Sequence, residues 1–272
     1  MVPVVVEDCW NSGDFTFNGK SSVRSKGTFY LSPGFASISQ GTFSVKGSLI
    51  NSGDLSVNAD ASSTGDLPMA GVIAYVSQGI ALVEGETEAL IANTGNVTIK
   101  TKNTAGSRAF FGGILGYLKT GAIDEHIKFI NTGNITVTGE MTNCYVGGIG
   151  GACLKPIGYA ESYCTISAPG AITETGYVGY KGVGMLSGPN YKSNTYDIKA
   201  GAVGGTMVSK VVEDVDANGN VEYIPVSETI TNENCKEYVY GTVATTDEIA
   251  ARYTVLTEAP TVTLPAQLPA AK

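Results

Sequence analysis

Four stretches of this chain alternate apolar and hydroxyl-bearing residues in the same phase: Phe15-Thr16-Phe17, Leu55-Ser56-Val57, Val97-Thr98-Ile99 and Ile135-Thr136-Val137. Period two with β-branched and aromatic side chains predicts half-buried strands, apolar face inward and hydroxyl face outward. A turn precedes each strand: "NSGD" from Asn11, "NSGD" from Asn51, "NTGN" from Asn93 and "NTGN" from Asn131. Gly13, Gly53, Gly95 and Gly133, with a weaker fifth copy at Gly170, lie 40, 42, 38 and 37 residues apart. A period of this size calls for stacked repeats. The shared glycine is expected to turn the chain through positive φ, and the following Asp14, Asp54, Asn96 or Asn134 suits the same turn. If the repeats stack in parallel, Asn11, Asn51, Asn93 and Asn131 fall one above another, where their amides can bond along the ladder.

Two further blocks recur. The second comprises "MAGVIAYVSQG", "FFGGILGYLKTG", "YVGGIGGACLKP" and an eroded "KGVGMLSGPNY", in which small residues alternate with Ile, Val and Leu. That pattern fits a strand buried on a crowded inner face, where glycine permits close backbone approach. The third block returns the chain to the next turn: "GTFSVKGSLI", "EGETEALIA", "DEHIKFI" and "AESYCTIS". The order predicts an all-β fold, a right-handed parallel β-helix (β-solenoid) of four to five rungs of about 40 residues, three strands to a rung, over residues 1–205. The first copy carries "FYLSPGFAS" where the glycine block should stand, which marks the first rung as a cap. A β-propeller also has blades of about forty residues, but hairpin turns and a Trp-Asp signature are missing, and the single Trp is Trp10.

After Gly205 the repeat fades. "SKVVEDVDANGNVEYIPV" predicts a hairpin around "DANG", and "TTDEIAARY" a short helix with an N-cap. Residues 206–258 thus form a C-terminal capping region, and 259–272 an extended tail. Asp214, Asp216, Asn218 and Gly219 match half of an EF-hand loop, but Pro225 stands where that loop needs a bidentate Glu.

The cycle "VGGIGG", "ESYCTIS", "NTGNITV" resembles the GLUG-type glycine-rich repeats of bacterial surface proteins, particularly those of Bacteroidetes, over about Asn11 to Gly184. The resemblance implies a parallel β-helix with an extracellular or surface role, and it brings no catalytic residues.

Composition narrows the function classes. Among 272 residues 43% are apolar, enough for a continuous core, and a net charge of -8 offers no basic face for nucleic acid. Only 15% are charged, with Ser, Thr, Asn and Gly abundant, as in many secreted and particle-surface β proteins. The five cysteines (Cys9, Cys144, Cys153, Cys164, Cys235) are odd in number, so at least one cannot pair within the chain, and the three between Cys144 and Cys164 lack CxxC spacing and read as buried small hydrophobes. The longest apolar stretch, Gly71 to Val83, is too short and polar to span a bilayer. "MVPVVVEDCW" shows no basic n-region or cleavage site.

Candidate chemistry is sparse. The only histidine, His126, has no nucleophile motif beside it. Carboxylates for glycan cleavage stand at Glu84, Glu86 and Glu88, expected on one strand face, and at Asp124 and Glu125. Tyr75, Tyr117, Tyr145 and Tyr159 fall at related places and suggest an aromatic stripe. Asn96 and Asn134 open glycosylation sequons, but in structural turns. No cofactor, metal or catalytic site is expected. The reading is a non-enzymatic structural or adhesive surface protein, meeting surface glycans or other copies of itself. A carbohydrate-binding or polysaccharide-processing β-helix and a virion or phage-appendage component are the alternatives.

Overall fold

A computed structural model describes residues 4–21, 30–39, 41–61, 65–139, 141–168, 182–188, 198–240 and 246–265. The chain winds through about four full turns of a parallel β-solenoid. The first rung holds β1 (Val4–Asn11) and β2 (Phe15–Ser21). The second holds β3 (Phe43–Asn51), β4 (Leu55–Ala61), β5 (Leu67–Ala70) and β6 (Ile73–Val76), and the short β7 (Ala81–Leu82) that follows stacks on the start of β3 and opens the third rung. The third holds β8 (Ala89–Asn93), β9 (Val97–Gly112) and β10 (Leu115–Leu118). The fourth holds β11 (Ile127–Asn131), β12 (Ile135–Thr138), β13 (Met141–Gly147) and β14 (Gly150–Cys153). The fifth holds β15 (Ile157–Ser167) and β16 (Gly182–Gly184).

Register is strict. Phe15, Leu55, Val97, Ile135 and Ile166 form one parallel column, and Asn11, Asn51, Asn93 and Asn131 another. The inward residues of the alternating stretches, including Leu55, Val57, Val97, Ile99, Ile135 and Val137, are buried in one core that runs along the stack. A single rung cannot bury that face alone, which is why the pattern repeats.

The second and fourth rungs carry four strand segments rather than three, and in the third β9 runs on through the positions of both β4 and β5. The second block bends in its middle, at Gly71-Val72, Gly113-Ile114 and Gly148-Ile149, separating β5, β9 and β13 from β6, β10 and β14. The first rung also differs from expectation. Residues 30–38 take their place in the stack through single bridges, Leu31 to Met69, Phe35 to Ile73 and Ile38 to Val76, instead of continuous strand.

At the far end, β17 (Ile198–Val215) pairs in parallel with β15 and then runs on into an antiparallel ribbon with β18 (Val221–Thr229). The helical turn α1 (Cys235–Tyr238) lays Tyr238 and Val239 against Met185 and Leu186, whose N–H groups donate to their carbonyls. The end that would expose unpaired backbone is thereby covered. Beyond it stand α2 (Asp247–Ala250), N-capped by Thr246, and β19 (Tyr253–Val255), which pairs with β17.

Candidate functional site

The corner that opens each rung is built from amides. Nδ2 of Asn11 donates to Oδ1 of Asn51 at 2.6 Å, Asn51 to Asn93 at 2.8 Å, and Asn93 to Asn131 at 2.9 Å. The second proton of each Nδ2 goes to the carbonyl two residues on in its own rung, at Gly13, Gly53, Gly95 and Gly133. Asn51, Asn93 and Asn131 are buried, so the ladder satisfies polar groups that have no access to water. Outside it runs a second column. Asp14 Oδ1 accepts from Asp54 N, Asp54 from Asn96 N, Asn96 from Asn134 N, and Asn134 from Thr165 N. These Asp and Asn side chains thus serve the next rung.

The glycine between the two columns has a different cause from the one expected. Gly13, Gly53, Gly95 and Gly133 are not among the positive-φ residues. At Gly53, Gly95 and Gly133 what excludes a side chain is stacking. A Cβ on Gly53 would stand 2.1 Å from Gly13 O, on Gly95 2.1 Å from Gly53 O, and on Gly133 1.9 Å from Gly95 O. The second-block glycines answer to the same corner from across the rung. A Cβ on Gly71 would meet Asn93 Oδ1 at 2.5 Å, and one on Gly113 would meet Asn131 Oδ1 at 2.5 Å. The two motifs share a period because the bend glycines leave the volume that the amides fill.

Gly170 lies outside the described residues. The register places the fifth corner at Ser162 to Thr165, since Asn131 pairs with Ser162 and Ile135 with Ile166. Ser162 and Cys164 therefore end the amide ladder, with their side-chain heavy atoms 3.5 Å apart. Burial pushes the Cys164 thiol up to about 11, against opposing hydrogen bonds from Ser162 and Asn131. Of the five cysteines Cys9 is exposed, and the other four are buried.

The acidic candidates do not converge. Glu84 sits in a turn and Glu88 precedes β8, so they share no strand face with Glu86, which stands 3.9 Å from Lys46. Asp124 accepts from the backbone N of His126, and its Oδ1 is 3.0 Å from His126 Nδ1. The backbone bond from His126 is the main cause that holds the Asp124 carboxyl below its ordinary value. Glu125 pairs with Lys199 at 2.9 Å. Among the described residues no three His, Cys, Asp or Glu side chains gather as a metal site. At the half-matched calcium loop, Asp216 accepts from Asn218 N, Asn220 N and Asn220 Nδ2, closing the hairpin turn.

The tyrosines also separate. Tyr117 and Tyr145 are 0% and 2% exposed and sandwich Phe110, with ring centroids 4.2 and 5.1 Å from it. Tyr75 and Tyr30 continue this row, whose closed packing leaves Tyr117 and Tyr145 no face for a sugar. Tyr159 lies on another sheet and donates to Glu161 Oε1 at 3.0 Å, beside Lys128 Nζ at 2.7 Å from the same oxygen.

No protein-family model, curated protein or solved structure matches this chain.

Two features escaped the sequence reading. Asp66 and Arg108 form a bidentate pair at 2.6 and 2.7 Å across neighbouring rungs. Their separation of 42 equals that of Asn51 and Asn93, so aligning the charged residues on the amide period would have found it. The second is an apolar row on the outside of the stack. Trp10, Ile50, Ala92 and Ile130 share one register position, immediately before the ladder amides, and Val262 of the C-terminal segment packs with this row. Its signal was the apolar pair before each Asn (Leu49-Ile50, Ile91-Ala92, Phe129-Ile130), where strict alternation would place a polar residue.

Proposed function

We propose that this chain is a non-enzymatic structural or adhesive β-solenoid of an extracellular or surface-exposed setting, meeting surface glycans or further copies of itself through its outer rows. The observation that carries this reading is the amide ladder. The side chains best placed to present chemistry at a repeated corner are spent on one another, rung to rung, and the stack is built around them. The candidate acids and His126 support it too, since each lies in a turn, a surface ion pair or an Asx bond. The hollow lined by Thr42, Phe43, Gln78 and Ala122, about 370 Å³, has no charged side chain in its wall. The likeness of the repeat to GLUG-type sequences points the same way.

A glycan array together with a turnover screen on acidic polysaccharides tests the proposal. Binding without turnover, or neither, is expected; bond cleavage of any polysaccharide by the purified chain overturns it.

A further inference from the structure

The outer apolar row is unusual for a solenoid face. Ile50, Ala92 and Ile130 point away from the core residues Leu49, Ile91 and Phe129, yet they are only 1%, 0% and 5% exposed. The C-terminal segment reaches this side of the stack at Val262, which packs with the row. Leu256 N donates to Val203 O at 2.8 Å and Tyr163 Oη to Thr257 O at 3.4 Å. Past Thr257, Pro260 and Val262 are half-buried while Ala259, Thr261, Thr263 and Leu264 are exposed, and Val262 is the side chain that packs on the row.

We propose that the row Trp10–Ile50–Ala92–Ile130 is a docking groove for an extended, proline-containing segment, and that copies of this chain associate by exchanging the C-terminal segment 256–265 between grooves. This rests on the structural reading above and names its partner as a second copy. Three observations carry it. First, an anchor is seen: Val262 of the C-terminal segment packs on the row, and a second copy would offer the same side chain. Second, the seat past Thr257 is made by side-chain fit, with no hydrogen bond tying residues 258–265 to the stack among the described residues. Such a seat releases without breaking a strand ladder. Pro260 and Pro265 have no N–H to leave unpaired and favour an extended chain, so ordering it on a new groove costs little. Third, an empty row would be a four-rung apolar stripe in water, so each groove demands an occupant, and the segment of another copy meets the demand as well as its own. Exchange of an identical element is a low-cost route to association. In dilute solution the tethered segment wins, because a short tether holds it at an effective concentration on the order of millimolar. Exchange emerges as chains crowd toward that range.

Trp10 is the single tryptophan and lies in the groove, so its emission reports occupancy. The full chain is examined by sedimentation velocity from micromolar to millimolar concentration, alone, with a tenfold excess of a peptide of residues 256–265, and as Val262→Asp. Expected is a species of twice the single-chain mass that grows with concentration and falls at least severalfold with the peptide. In Val262→Asp it is lost, while the far-ultraviolet spectrum is kept and Trp10 emission moves to longer wavelength. A single mass at every concentration overturns exchange, as does a doubled mass that survives both the peptide and Val262→Asp. Unchanged Trp10 emission in Val262→Asp overturns the groove itself. Polysaccharide turnover would sink the structural reading without altering these masses, so the two failures are distinguishable.

Discussion

At the scale of single residues, burial ranks the amides. Asn93 is fully buried and bonds on both sides, so Asn93→Ala strands a donor on Asn51 and an acceptor on Asn131. A loss of about 2–4 kcal/mol in chemical denaturation is expected, with Asn11→Ala, at the half-exposed end of the ladder, costing clearly less. Equal losses would contradict the ladder as described. Cysteine reactivity follows burial in the same way. One thiol in five, Cys9, is expected to react with an aromatic disulfide at pH 8 in the folded chain, because burial holds Cys164 at about 11 and raises Cys235 as well. Rapid labelling of a second thiol before unfolding would show the core to be more open. What the sequence could say at this scale was which residues recur, and the Asn column was legible from period alone. Why Gly53, Gly95 and Gly133 recur was not, because a glycine that turns through positive φ and one that clears a stacked carbonyl look identical in one dimension.

Among elements, the ribbon of β17 and β18 is the part whose turn can be titrated. Asn220 and Asn218 donate to the Asp216 carboxylate and hold it below its ordinary 3.8, the Asn220 side chain contributing most. A lowered carboxyl contributes its stabilisation above the unfolded value and loses it as pH falls through the folded one. The Asn218 and Asn220 amide protons should therefore follow a single NMR titration with a midpoint below 3.8, and a midpoint at or above that value would remove the carboxylate from the turn. The strands that follow each corner were readable, since Phe15, Leu55, Val97 and Ile135 keep one phase. The bend at Gly71, Gly113 and Gly148 was not, because it depends on the side chains packed against it, Asn93, Asn131 and Ser162 in turn. The fifth corner was displaced in the reading for a related reason. Ser162-Tyr163-Cys164-Thr165 has lost both Asn and Gly, and only pairing of β15 with β11 and β12 reveals it.

Across the whole molecule, a stack in which each rung touches its neighbours should lose stability locally at its ends and globally at its middle. The C-terminal end offers a clean test. Tyr240 and Tyr253 close on the backbone of one residue: Ile198 N donates to the Tyr240 hydroxyl at 2.9 Å, both hydroxyls donate toward Ile198 O, at 3.2 and 2.6 Å, and they lie 3.0 Å from each other. Both rings are buried, and burial pushes the Tyr240 hydroxyl well above its ordinary value. Tyr240→Phe leaves the Ile198 N–H buried without its acceptor, at roughly 1–3 kcal/mol. That cost falls on the last rung, where unfolding of β19 and the Tyr240 bridge exposes only the stack end. Hydrogen exchange should therefore quicken along β17 and β19 in Tyr240→Phe while β4, β8 and β11 keep their protection, whereas Asn93→Ala should lower protection in all of them together. Uniform acceleration in Tyr240→Phe would mean that the cap and the stack unfold as one unit, and that the last rung is as much a part of the cooperative core as the ladder.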